Sequence, residues 1–167
     1  MLMNLFMTCK RRKKLLLKKK RKGQGASRME WNNWFLGLAQ YIATASKDPS
    51  TKVGAVIVDE ERRVVSLGYN GLPRGIEDTK ERLENRDLKY KIIVHAERNA
   101  LLFARGSIKG CTIYTYPMMP CAVCASMIIQ SGIKKVVAPK SDNPRWIQDM
   151  ELSTKLFEEA GVVVELV

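Results

Sequence analysis

Two short stretches constrain this chain more than anything else in it: His95-Ala96-Glu97 and, further on, Pro120-Cys121-Ala122-Val123-Cys124. Cys121 and Cys124 stand three apart at an expected helix start, so their sulfurs share one face and can grip one ion. The free N–H groups and positive dipole end of that helix favour thiolates there. His95 opens a second expected helix and completes a three-ligand site, the number that leaves a zinc ion one position for water. Glu97 would close that position if it bound the metal. It is better placed to take a proton from water and pass it to a leaving amine, which is the chemistry of hydrolytic deamination at an amidine-like carbon.

Each piece has a plainer reading. A Cys-x-x-Cys alone also reads as a redox pair, and a histidine alone as a satisfied structural residue. Neither explains four residues in register, and His95 is the only histidine in the chain. A structural zinc module for nucleic-acid binding or regulation is the reading from a different class. Glu97 discriminates, because a structural site has no need of that carboxylate. Cys111 reads as a small buried hydrophobe and Cys9 as a tail thiol, and the Met118-Met119 pair packs or lines a pocket rather than binding metal.

The formal net charge of +12 suggests a nucleic-acid partner until its distribution is considered. Residues 1–28 hold 11 Lys and Arg and no acid, leaving 18 basic against 17 acidic groups in the rest. The expectation is a basic, disordered N-terminal tail over 1–28 and one zinc-dependent deaminase domain over 29–167. The tail could instead contact nucleic acid or an anionic membrane surface, or translation could start at Met29. The apolar run 1–7 is too short to span a bilayer and precedes its basic cluster, unlike a secretory signal. Unpaired cysteines fit a reducing compartment, so the expected location is cytoplasmic.

Apolar residues at Trp31, Trp34, Phe35, Leu38, Ile42 and Ala45 recur at helical spacing and predict an amphipathic helix from 31 to about 47, ended by Asp48-Pro49. Stretches 53–58 and 63–68 predict a hairpin with a polar turn at 59–62. Residues 74–91 read as a charged surface excursion with helix around 81–91. A helix over 95–104, a strand over 111–116, a helix from Pro120 to Ser131, a strand over 134–138, a helix over 148–160 and a strand over 162–167 complete the order. This alternation predicts an α/β fold, a mixed sheet with helices on both faces.

His-x-Glu followed by Pro-Cys-x-x-Cys is the signature of zinc nucleobase deaminases. With "SKDPSTKVGAVIV" at 46–58, "GYNGLPRG" at 68–75 and "IIQSGIKKVV" after Cys124, the chain resembles the deoxycytidylate (dCMP) deaminases of the cytidine deaminase-like superfamily over about 31–167. The resemblance implies a three-layer α/β/α sandwich with a five-stranded mixed sheet. It implies one zinc per chain on His95, Cys121 and Cys124, with Glu97 as general acid/base and dCMP converted to dUMP and ammonia in nucleotide biosynthesis. It places Asn70 and Ala96 at the substrate, Asn70 bonding the sugar or base edge, although a turn that needs a left-handed residue would select Asn70 equally. Ser46 and Lys47 become candidates for the 5′-phosphate, against simple helix-dipole compensation for Lys47.

The chain departs from that family in one loop. Where many members carry a tyrosine, 140–146 reads Lys-Ser-Asp-Asn-Pro-Arg-Trp, leaving Trp146 to stack on the base and Arg145 to meet phosphate. This keeps dCTP open as substrate. The tRNA adenosine deaminases share both zinc elements, and the basic tail would suit RNA, but they lack the GYNG-x-P loop. Cytidine deaminases have Cys where this chain has His95. The resemblance further implies a homo-oligomer, often a hexamer, with dCTP and dTTP as allosteric effectors and Mg2+ accompanying a triphosphate.

Overall fold

The computed structural model describes residues 30–167. The expected tail over 1–28, with Cys9, lies outside them. The chain runs α1 (Trp31–Ala43), β1 (Gly54–Val58), β2 (Val64–Tyr69), α2 (Lys80–Glu84), α3 (Arg86–Ile92), α4 (Ala96–Phe103), β3 (Thr112–Tyr116), α5 (Ala122–Gln130), β4 (Lys135–Ala138), α6 (Ile147–Glu159) and β5 (Val163–Leu166). No described helix is long and apolar enough to cross a membrane.

The five strands form one mixed sheet in the order β2-β1-β3-β4-β5. β1 is antiparallel to both β2 and β3, whereas β3, β4 and β5 are parallel and joined through α5 and α6. Register sorts the side chains by face. Ile57 opposes Ile113 and Ile113 opposes Val136, while on the other face Val56 opposes Tyr114 and Tyr114 opposes Val137. The first set packs with Ala96 and Ala100 of α4, Ala125 and Ile128 of α5 and Phe157 of α6. The second packs with Phe35, Leu36 and Ala39 of α1. Three layers result, with α1 on one side and α4, α5 and α6 on the other. All of β1 is buried because both of its faces are covered.

The expected α1 face packs on the sheet through Trp31, Phe35, Leu38 and Ile42, but its most buried line is displaced toward Leu36, Ala39 and Ala43. Phe35, Leu36, Ala39 and Ala43 are buried, while Trp34 is 48% exposed. The cause is a close approach to the strand: a Cβ on Gly54 would lie 2.0 Å from the Ala39 carbonyl oxygen. Backbone therefore meets backbone where the helix is smallest, and the large residues Trp31, Leu38 and Ile42 flank that line. The helix also ends before Asp48-Pro49. Thr44, Ala45 and Ser46 donate to carbonyls three residues back, a tightened last turn.

Two further expectations shift. Pro120 precedes α5 instead of opening it, and Cys121 is the N-cap residue. The excursion at 74–91 holds two short helices separated at Asn85, whose side chain caps α3 by accepting from Leu88 N–H. It is not all surface, since Lys89 of α3 is buried. Gly132, at φ 82°, closes the helix α5 as expected.

Candidate active site

His95 and Cys121 are the N-cap residues of α4 and α5, both with extended backbone. Gly68 of β2 brings α4 against the sheet, because a Cβ there would lie 2.4 Å from the Ala96 carbonyl oxygen. The β3–α5 connection carries Pro120 and Cys121 to the same place. His95 Nδ1 lies 3.6 Å from Cys121 Sγ and 3.4 Å from Cys124 Sγ. Among the described residues these three form a group whose ligand atoms all lie within 4.8 Å of one another.

The donor set fits zinc. Ligand bonds of about 2.3 Å to sulfur and 2.0–2.1 Å to nitrogen, at tetrahedral angles, require an S···N edge of about 3.6 Å. Both observed S···N distances match that edge. The two thiols share one hydrogen bond, which holds one proton of the pair and releases the other. Hydrogen bonding from Cys124, with a further contribution from His95, lowers the Cys121 thiol to about 3, and the same shared bond raises Cys124. Cys121 is therefore a ready thiolate, the form that binds metal.

Glu97 lies in the first turn of α4, 4% exposed, with Oε2 3.8 Å from Cys124 Sγ. Burial pushes its carboxyl above the usual carboxylate range, and the His95 charge opposes that shift. His95, Glu97 and Cys121 line a cleft with Met119, Trp146 and Asp149. Ser50, Thr51, Val53, Asn70, Lys89 and Tyr90 also line it. A buried carboxyl beside a metal-fitting trio, lining a cleft, is a site for moving protons onto a bound molecule.

A sequence profile described as the cytidine and deoxycytidylate deaminase zinc-binding region matches residues 29–140. The chain belongs to this deaminase family. It is 40% identical over 140 residues to a deoxycytidylate deaminase of Mus musculus, covering 80% of this chain and 78% of that one. A deaminase of Aliivibrio fischeri is 41% identical over 138 residues, covering 81% of this chain and 92% of the relative. The crystal structure of a dCMP deaminase from cyanophage S-TIM5, in complex with dCMP and dUMP, superposes with a TM-score of 0.67 at 26% identity. That match covers 84% of this chain and 98% of the phage chain. As a member of the family the chain is a zinc-dependent hydrolase with the cytidine deaminase-like fold.

The other deaminase-site candidates are placed unevenly. Trp146 and Asn70 line the cleft. Asn70 is buried and engaged: its Oδ1 accepts from Val53 N–H at 2.7 Å and its Nδ2 donates to the Thr51 carbonyl at 2.9 Å. It is also not in the left-handed region, which among the described non-glycine residues only Arg62 occupies. The turn-residue reading of Asn70 is therefore replaced by a bracing one. Ala96 is fully buried in the core. Ser46 and Lys47 are not in the described cleft lining. Ser46 is buried with Oγ accepting from Asp48 N–H, and Lys47 is exposed and paired with Asp78 at 2.6 Å.

Several cleft residues gave no sign of themselves in sequence. Lys89 donates to Asp48 Oδ1 at 2.9 Å, a pair buried on both sides. Asp149 Oδ2 accepts from Ala122 N–H, binding α6 to the start of the cysteine helix. Tyr90 contacts Arg145, whose guanidinium also stacks on Trp146 and so ties the 140–146 loop to α3. Aspartate two residues after Ser46, in a motif already singled out, was the one local signal available.

Proposed function

We propose that this deaminase hydrolyses dCMP to dUMP and ammonia, with His95, Cys121 and Cys124 holding zinc and Glu97 moving the protons. The observation that carries this reading is the placement of the buried Glu97 carboxyl beside the three ligands in one cleft. Relatives named deoxycytidylate deaminase at about 40% identity, and a phage neighbour crystallised with dCMP and dUMP, support the choice of nucleotide.

The reaction exchanges the amine on C4 of the base for an oxygen from water. Bound zinc would supply the ionisation of that water near neutral pH. Glu97 takes the released proton, delivers it to N3, and then returns a proton to the departing amine, so that water's two hydrogens end on the products. Burial raises its proton affinity, the direction that favours a group which must take up and hand on protons. Met119, buried at 5% exposure, and Trp146 narrow the apolar side of the cleft against bulk water. Asp149 holds the start of α5, keeping Cys121 aimed at His95.

Residues 29–167 form the deaminase domain and 1–28 a separate basic tail in this reading. Exposed Leu102 and Phe103 on α4 and Val123 on α5 support self-association. Regulation by dCTP and dTTP, with Mg2+ on the triphosphate, belongs to the same reading. Purified protein incubated with dCMP, dCTP, cytidine and adenosine-bearing tRNA tests it. The expected result is dUMP and ammonia from dCMP in preference to the others, and preference for tRNA would overturn it.

A further inference from the structure

Ser50 faces the cleft on a support that is itself buried. Lys89 is 2% exposed, and its Nζ donates to Asp48 Oδ1 at 2.9 Å and to Ser50 Oγ at 3.1 Å. An ammonium has donors only. Ser50 Oγ must therefore accept from it, and the Ser50 hydroxyl proton remains to be donated elsewhere. Asp48 is fully used: Oδ1 also accepts from Ser50 N–H at 2.8 Å and Thr51 N–H at 3.3 Å, and Oδ2 lies 3.4 Å from Asn70 Nδ2. Asn70 closes the network through Thr51 and Val53. The groups holding residues 48–53 are thus engaged inside the protein. Ser50 Oγ, exposed in the cleft, has no protein acceptor among the described residues.

We propose that Ser50 is a substrate-binding residue that donates a hydrogen bond to an oxygen of the sugar-phosphate end of the nucleotide, with Asp48 and Lys89 as the pair that positions it. This rests on the dCMP reading above. The reacting edge of the base is taken by Glu97, which leaves the sugar and phosphate oxygens as the acceptors for the remaining polar groups of the cleft. A hydroxyl whose oxygen accepts from an ammonium is a polarised donor, suited to an electron-rich oxygen. The Asp48–Lys89 pair is neutral as a unit, so the contribution comes through the directed bond and not through net charge. The geometry also moves the nucleotide contact from Ser46 and Lys47, which lie outside the described cleft lining, to the next serine in the same motif.

Ser50→Ala removes the donor and also one of the two acceptors of the buried Lys89 ammonium, so a modest fall in melting temperature is expected while an unchanged far-ultraviolet circular dichroism spectrum checks that the fold stays intact. The KM for dCMP should rise about tenfold, the worth of one hydrogen bond to a charged group, while kcat changes less than about twofold. Ser50→Thr, which keeps the hydroxyl, should restore most of the affinity. Deoxycytidine run in parallel separates the acceptors: a loss confined to dCMP assigns the phosphate, and an equal loss on both assigns the sugar. Turnover of dCMP by the unaltered chain tests the functional reading itself. Calorimetric titration of dCMP into Glu97→Gln reads the contact without turnover, and equal affinity of Glu97→Gln with and without Ser50→Ala would overturn the inference.

Discussion

Glu97 is asked to do two things that a single substitution separates. Gln keeps the shape and removes the proton, and the residue is not one of the three ligands, so Glu97→Gln should retain about one zinc per chain. Turnover should fall by about 10²–10⁴, the usual share of positioned acid–base catalysis. A metal assay beside a steady-state rate checks both, and an undiminished rate would remove Glu97 from the mechanism. The four residues of this centre were legible in sequence because their relation is local: each is fixed by its place at or near a helix start, and a helix start has known geometry. Lys89 was not legible, because nothing local marks a lysine in a charged segment as buried. Only the tertiary pairing with Asp48, 41 positions away, does so. Removing that charge by Lys89→Met leaves the Asp48 carboxylate buried without its ammonium, at an expected cost of about 3–5 kcal/mol in urea unfolding. Asp48→Asn combined with Lys89→Met should recover part of it.

Elements were predicted in the right number and order wherever a periodic run was bounded by Gly, Pro or Asn, and α2 and α3 were merged because the break at Asn85 is itself a cap. What sequence periodicity could not supply was that the most buried line of α1 runs through the small residues Ala39 and Ala43, since that depends on a glycine in another element. Gly54 and Gly68 are both sites where a helix backbone lies on the sheet. They make a sharp test against Gly37, which is exposed inside α1 with open space around it. In Gly68→Ala the new methyl would meet the Ala96 carbonyl at 2.4 Å and the Ala100 nitrogen at 2.5 Å, both backbone, so α4 must move. The expected cost is about 1–3 kcal/mol, with a loss of turnover because α4 carries His95 and Glu97 to the cleft. Gly37→Ala should instead stabilise by about 0.5–1 kcal/mol through helix propensity alone. Urea midpoints of the two variants should move in opposite directions, and a shared sign would contradict the packing described for the Gly68 contact.

At the scale of the whole chain, charge and catalysis occupy different parts of the sequence. Among the described residues, two core clusters, a five-stranded sheet and the cleft form a complete deaminase-like fold. The excess of positive charge falls within 1–28, and the remainder carries 18 basic against 17 acidic groups. A chain starting at Met29 should therefore keep the melting temperature and the kcat/KM for dCMP of the full chain, since the described core clusters and cleft are built from residues 30–167. It should lose nearly all retention on a cation exchanger at neutral pH. The full chain should be held there and elute at a salt concentration that reflects many simultaneous ion contacts, because each basic group bound to a polyanionic surface releases a counterion. If the shortened chain instead melts lower or turns dCMP over more slowly, residues 1–28 contribute to the catalytic domain and the division at 28 is in the wrong place. If it keeps both properties and still binds the exchanger as tightly as the full chain, the folded domain presents a basic face that the near-balance of its charges conceals.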